Sequence, residues 1–574
     1  MASEDLYAIA ADWLKSLEVA SSAGDATSFV SHFVSDGWFR DLLCFSWNFR
    51  TLSGVADGKS RLEHSGLRDF KLDDHTVNAP SPLILPGLQG IEGVQGAFTF
   101  TITKPAALGR GFFRLIQDGD GKWKALTLFT NMQDLVGHEE SSADQHGLYE
   151  GRKMTWEEDV DAKFRAIEAD PTVLIVGGGQ AGLTSAARLR RLGIRALVIE
   201  KNPRVGDSWR QRYCFTVPIR MCLPPFKGTM YLSNARTTFP KYIPKGKLAN
   251  FLDSYAADQE LCIWLSSSIA STPVYDSSSA RWTVEVQHGD RKVFLNPKHL
   301  VLATGYGSPR IPTWNGMDEF QGALYHSDFH KNAEQFRGKR VVVVGADEKV
   351  TMVQRSATCV ISSSAIEQTY FKSPFPDGTP IEELDFRNNS MPVAFLLQLA
   401  ISGGTQHMKM LDKELHEALR KVGFNLTWEP SPGSGEVGLV GFLFSRLNSG
   451  TMLDVGCGKL IVEGRVKIKQ GQDISHFDKD GITFKDGSKL SADVIVLATG
   501  NESIMNTTRA VLGNEITEQL PPKVWGLDSE GELNQTYRPS GHPGLWFAAG
   551  SFEFSRFFSK HLGLQILARE LGIA

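Results

Sequence analysis

The stretch that decides the fold is TVLIVGGGQAGLTSAARLRRLGIRALVIEK, residues 172–201. A run of branched aliphatic residues ends at Val176. Gly177, Gly179 and Gly182 then occupy the positions of a G-x-G-x-x-G loop, with Gln180 and Ala181 inside it. A helix-forming segment follows, Gly193 stops it, and a second strand-like run ends in Glu200. Each part has a mechanical task in binding a dinucleotide. Gly177 permits the tight turn, Gly179 lets the backbone approach a pyrophosphate, and Gly182 allows close packing of helix on strand. The helix N-terminus directs free N–H groups at the anion, and Glu200 is placed to bind ribose hydroxyls. A lone glycine pattern is weak evidence, but here strand, helix, strand and acid all fall at the required spacing.

Two more strands end in a shared signature: LVLATGYGSPRIP (300–312), which contains Gly305, and DVIVLATGNES (493–503). They bracket a second nucleotide-type segment, so they read as the crossings between two nucleotide-binding units, one inserted in the other. Within that insert, VVVVGADEKVTMVQRS (341–356) reads as a buried strand, a glycine and a second strand. Parallel neighbours in such a sheet need a crossover of about a dozen residues or more, normally helical. Only Gly345 to Lys349, five residues, separate Val344 from Val350, against 19 residues from Gly177 to Arg195 in the first unit. Either the pair is a hairpin or a loop and helix have been removed. Loss of the helix is expected to expose apolar strand surface.

The 574 residues exceed what one core supports and suggest about three domains. With 61 Lys plus Arg against 65 Asp plus Glu, the net charge of -4 gives no global field for nucleic acid or an anionic membrane. The six cysteines are scattered without C-x-x-C spacing, which argues against a metal cluster or disulfide framework. No stretch approaches the roughly 20 apolar residues of a membrane span, and a soluble, cytoplasmic protein is expected. Residues 1–150 form a module of their own. It opens with a helix near Tyr7 to Val19, continues through seven aromatics between Phe29 and Phe49, and closes with the hairpin GFFRLIQDGDGKWKALTLFTN (111–131). Plain core packing is the simpler account of those aromatics, and a ligand pocket the alternative. A polar stretch from about His138 to Asp170 links this module to the glycine loop.

Together, the Gly177/Gly179/Gly182 loop, RVGDSWR (204–210), PKYIPKGKLANFLDSYA (240–256), both Ala-Thr-Gly strands and FQGALYHSDFH (320–330) resemble the flavin-containing monooxygenases. Phe320, Gly322 and His326 match that group's F-x-G-x-x-x-H fingerprint, and His330 stands where Baeyer-Villiger relatives carry tryptophan. Similarity continues through DVGCGKL, WGLDSEGEL and RPSGHPGLWFAAGS to the end of the chain. The order of elements is closest to microbial proteins that place a nuclear-transport-factor-2-like domain before a monooxygenase of the indole-3-pyruvate type.

The resemblance implies an α/β fold with two Rossmann-like dinucleotide-binding domains, the nicotinamide domain inserted in the FAD domain, preceded by an α+β cone-shaped domain. It implies this division: 1–150 cone, 151–170 linker, 171–310 first part of the FAD domain, 311–500 nicotinamide-type domain, 501–574 second part of the FAD domain. It implies that NADPH reduces bound FAD, that oxygen adds to the reduced flavin, and that a flavin hydroperoxide transfers one oxygen atom to a small lipophilic or aromatic metabolite, plausibly in secondary metabolism. The cofactor carries the hard chemistry, so no protein catalytic residue and no metal is assigned. Gly206, Trp209, Arg210, Gly305 and Gly550 are expected near the flavin. Gly322 and His326 are expected to couple domain motion to nicotinamide binding. Gly345, Arg355 and Ser356 are expected on the NADPH side, the last two at its 2′-phosphate.

The gap leaves three readings. The written chain omits coding sequence; or the protein keeps FAD and no longer uses NADPH, as an oxidase or non-redox flavoenzyme; or it is a catalytically inactive partner or ligand-binding protein with the cone as its pocket. The expected partners are a small-molecule substrate and molecular oxygen, with oligomeric state open.

Overall fold

The computed structural model describes residues 3–54, 62, 67–73, 77–83, 85, 92–141, 154–212, 216–218, 242–344, 351–372, 379–446 and 450–574. The chain opens with helix α1 (Ser3–Ser22), whose Leu6, Ala10, Trp13, Leu14 and Leu17 recur at helical spacing and are buried. Helix α2 (Ala26–Ser31) is capped by the Asp25 carboxylate, which accepts from the Thr27 and Ser28 N–H groups. Strands β1 (Phe33–Leu42), β2 (Phe49–Ser53), β3 (Phe70–Leu72), β4 (Asn78–Pro82), β5 (Gly93–Thr103), β6 (Ala106–Gln117) and β7 (Trp123–Leu135) follow. They form one curved sheet in the order β2-β1-β7-β6-β5-β3, with β4 also on β5. The β6–β7 hairpin lies where the sequence places it. Gly111 is required on β6 because a Cβ there would lie 2.1 Å from the Phe98 ring. The concave side is filled by Phe29, Phe39, Phe45, Phe70, Phe98 and Phe100, packed edge to face or tilted. Core packing is what these aromatics do.

The connecting stretch contains helix α3 (Trp156–Ala169), closed at its start by a reciprocal Thr155/Glu158 capping box. Next come β8 (Val173–Val176), α4 (Gln180–Arg191), β9 (Ala196–Ile199), a short α5 (Asp207–Arg210), α6 (Lys245–Asp258), β10 (Ile263–Trp264) and β11 (His299–Leu302). The inserted unit supplies β12 (Ala323–His326), β13 (Val341–Val344), β14 (Thr351–Gln354), helices α7 (Ile381–Asn389) and α8 (Val393–Leu399), and β15 (Lys467–Gln470). It ends with a meander of β16 (Ile474–Asp478), β17 (Gly481–Phe484) and β18 (Lys489–Ser491), followed by β19 (Val494–Leu497). The chain then returns through β20 (Leu545–Phe547) and the long helix α9 (Phe552–Glu570).

Two five-stranded sheets result, ordered β10-β9-β8-β11-β20 and β15-β14-β13-β19-β12, and every pairing within them is parallel. In both, the strand that runs into the glycine turn, β8 or β13, is central. Val342 faces Thr351 and Val344 faces Val353 in parallel register, so the short connection is not a hairpin. Because β14 starts at Thr351, six residues (345–350) join the two strands. The expected exposure of the strands does not occur. Val342 and Val343 are 2% and 3% exposed, the first packed under Phe477, Ile482 and Phe484 of the meander, the second against Val494 and Val496 with Tyr325 and Phe336 beside them.

The N-terminal module docks on both other parts. Trp38 meets Phe395 of α8 at 5.8 Å and Phe129 meets Phe386 of α7 at 5.6 Å. Arg40 and Glu532, both fully buried, form a two-pronged ion pair at 2.6 and 2.9 Å, and the Thr51 hydroxyl donates to the same carboxylate. Phe49 packs on Phe558 of α9, and the buried Arg556 of that helix pairs with Asp385 of α7. Among the described residues, no helix is long and apolar enough to cross a membrane.

Candidate functional site

The glycine loop between β8 and α4 has the geometry its sequence dictates. Gly177 has φ +114°, and a Cβ there would sit 2.5 Å from the Ala303 carbonyl oxygen of the neighbouring strand's end. A Cβ on Gly182 would lie 2.0 Å from the Gly177 oxygen. Gly179, by contrast, opens onto free space and starts α4 without a side-chain cap. Crowding at the first and third glycines and space at the second is the cradle a pyrophosphate requires, with the uncapped N–H groups of α4 facing it. Glu200 is buried, accepting the Gly178 N–H at 2.7 Å and the Asn202 backbone N–H at 2.9 Å. The Asn202 side-chain amide also donates to Oε1 at 2.6 Å, so the Oε2 that accepts the Gly178 N–H is the oxygen that keeps a lone pair for a ribose hydroxyl. These residues fit FAD.

The far end of the cleft closes on the same loop. The Gln180 side-chain amide donates to the Gly550 carbonyl at 3.3 Å, which joins the start of α4 to the turn after β20. Gly550 has φ +116°, and a Cβ there would touch Phe554 and Trp525 at 3.0 and 3.1 Å. Gly206 lies against the Ala249 carbonyl, and Trp209 is buried with its ring 6.0 Å from that of Phe552, the first residue of α9. Arg210 is engaged locally: its guanidinium donates to the Val205 carbonyl, the Asp207 carboxylate and the Asn250 amide oxygen. Gly305, at φ +73°, opens onto free space beyond β11. One group here had no sequence signal. Glu553 stands in the first turn of α9, and burial with the nearby Asp385 charge pushes its carboxyl up to about 7.

The second sheet presents a different end. His326 is 1% exposed; its Nε2 donates to the Gly500 carbonyl at 3.0 Å and its Nδ1 accepts the Asp328 N–H at 3.2 Å. Both ring nitrogens are therefore occupied in joining β12 to the loop after β19. Gly322 packs so closely that a Cβ would lie 2.5 Å from the Asp493 oxygen. Arg355 and Ser356 are exposed just past β14, in the second sheet and apart from the first glycine loop. Gly345 lies outside the described residues, as does the divergent stretch 220–239 where substrate choice is expected to be set. The two Ala-Thr-Gly ends meet: Arg310 N–H donates to the Gly500 carbonyl, and Asn501 donates to Gly307 and to Asp328.

Comparison with known proteins fits this arrangement. The family model described as pyridine nucleotide-disulphide oxidoreductase matches residues 174–350. An indole-3-pyruvate monooxygenase of Oryza sativa subsp. japonica is 27% identical over 373 residues, covering 62% of this chain and 82% of the relative. A second, from Oryza sativa subsp. indica, is 26% identical over 372 residues, with coverages of 62% and 82%. The sequence matches support a flavin-containing monooxygenase family. Members of this family are flavin-dependent monooxygenases that use FAD and NADPH.

Likeness to solved structures is looser. Cyclohexanone monooxygenase with bound ε-caprolactone gives a TM-score of 0.49 at 14% identity, covering 70% of this chain and 88% of that one. A flavin-containing monooxygenase from Stenotrophomonas maltophilia gives 0.42 at 15% identity, covering 70% and 99%. The family assignment therefore rests on the sequence matches and on the glycine loop's own geometry.

Proposed function

We propose that this chain inserts one oxygen atom into a small lipophilic or aromatic metabolite, in secondary metabolism, with an aryl keto acid the class to which its relatives' names point. The observation that supports this best is the complete first cradle: open Gly179, the uncapped start of α4, buried Glu200, and Gln180 tied to Gly550. Bound FAD would supply the activation of oxygen once reduced. The chain's own residues hold the cofactor and keep water from it. Trp209 and Phe552 wall the cleft with apolar surface, and Gly305 leaves space at the end of β11. The division into 1–150, 151–170, 171–310, 311–500 and 501–574 goes with this reading, the first part being nuclear-transport-factor-2-like.

The six-residue connection between β13 and β14 favours a second reading, an FAD enzyme that no longer uses NADPH, because six residues are too few to supply a phosphate loop and a crossover helix. Anaerobic mixing of the flavin-loaded protein with NADPH tests both. Bleaching of the oxidised flavin, followed by substrate-dependent oxygen uptake on aeration, is the expected outcome of the first. Reduction by dithionite but not by NADPH selects the second, and a purified chain devoid of flavin overturns both.

A further inference from the structure

Three cations from three separate elements converge where the two sheets face each other. Lys331, which follows the His326 loop of the inserted unit, donates its ammonium to the Gln211 carbonyl at 2.5 Å. Lys245, at the start of α6, donates to the adjacent Arg212 carbonyl. The Arg212 guanidinium lies 4.5 Å over the ring of the buried Trp209. Among the described residues, none of the three has a carboxylate within ion-pair distance, whereas neighbouring cations do: Arg204 pairs with Asp253 and Arg210 with Asp207. Lysines held on backbone carbonyls keep two further donors each, and Arg212 keeps its donors while its face is stacked.

A second observation is independent of that geometry. Residues 208–252 contain eight lysines and arginines and no aspartate or glutamate, in a chain whose net charge is -4. The segment of sequence that carries Arg212 and Lys245 therefore supplies no carboxylate of its own. Tyr306, directly after the open Gly305, lies within electrostatic reach of Arg212. Like charges gathered in one place repel one another, and an arriving anion relieves that repulsion.

We propose that Arg212, Lys245 and Lys331 form an oxyanion site at the mouth of the flavin cleft, taking either a phosphate of the nicotinamide dinucleotide or the carboxylate of a keto-acid substrate. The identity of the anion rests on the monooxygenase reading; the existence of the site does not. For the dinucleotide, the site stands in for part of the cradle that the β13–β14 connection is too short to build. For the substrate, it fixes one end of the molecule while the cleft holds the other.

The test is direct binding to the full-length chain as purified, read by calorimetry in low salt with NADP⁺ and, separately, indole-3-pyruvate. Lys331→Glu and Arg212→Gln are compared with wild type, with thermal unfolding and retained flavin as checks of folding; Lys331→Gln serves if either variant misfolds. At least one ligand weakens by about tenfold or more in both variants and loses most of its salt dependence. Weakened NADP⁺ alone assigns the site to the dinucleotide, and weakened indole-3-pyruvate alone assigns it to the substrate. If both ligands bind the variants within twofold of wild type, or if neither binds wild type at millimolar concentration, the site is overturned. Absence of flavin from the wild-type protein overturns the proposed function and leaves this binding result to be read on its own.

Discussion

The two parallel sheets each set five strands around a central one, β8 or β13, and differ in the connection that follows it. In the first, 19 residues cross from β8 to β9 and include a glycine loop and helix α4; in the second, six cross from β13 to β14. Strand pairing survives in both, so the order of a doubly wound sheet does not depend on its first helix. Burial survives as well, because the β16–β18 meander and the β19 valines cover what a helix would otherwise cover. What the short crossover removes is a phosphate cradle, so the difference is one of chemistry more than of folding.

That contrast can be broken at several points. The largest effect belongs to Gly182→Val, which forces a side chain into the Gly177 carbonyl and so destroys the complete cradle; the purified variant carries no flavin by absorbance while the inserted unit stays folded. Replacing residues 345–350 by the 19-residue segment 177–195 sharpens the comparison from the other side. NADPH affinity then rises at least about tenfold, as the donated helix start gains charge-assisted contacts to pyrophosphate; no gain by anaerobic titration would mean that the first cradle works only in its own sheet.

Arg40→Leu tests how the first unit is braced from outside. It strands the Glu532 carboxylate in a buried site and lowers stability by about 3–5 kcal/mol in urea unfolding, and Arg40→Leu with Glu532→Leu together recovers most of the loss. The smallest effect concerns pH. Burial pushes Asp41 up to about 6 despite hydrogen bonds from Thr130, Cys44 and Phe45. A carboxyl raised in the folded state contributes fully below its usual value of 3.8, and that contribution is lost as pH rises toward 6, amounting to at most about 3 kcal/mol. Asp41→Asn therefore flattens the stability profile between about pH 4 and 6.

Much of the site could be read from local spacing. The glycine loop with Glu200, and each Ala-Thr-Gly end, is a local pattern spanning about 25 positions or fewer, and the structure draws each as the sequence does. The β6–β7 hairpin was legible for the same reason. Arg40 with Glu532 was not, since periodicity says which face is buried and nothing about which of many charges it meets 492 positions away. Glu553 and the trio of Arg212, Lys245 and Lys331 escaped notice for a related reason: each is an ordinary surface-type residue until the fold brings it to the cleft. The expectation of bare strands around Val343 failed because it considered only the missing helix and overlooked the apolar residues supplied by neighbouring strands.

The docking of the first module on the last segments also sets a timetable. Arg40 waits 492 residues for Glu532, and the Trp47 indole waits 526 for the Ile573 carbonyl. At roughly 5–20 residues per second on the ribosome, the first of these partners follows by roughly 25–100 s. During that interval the N-terminal sheet carries a guanidinium on a face that the finished protein buries. Helix α9 both packs on Trp209 beside the glycine loop and receives Phe49 from the first module, so one late-made helix completes the cofactor cleft and docks the N-terminal sheet.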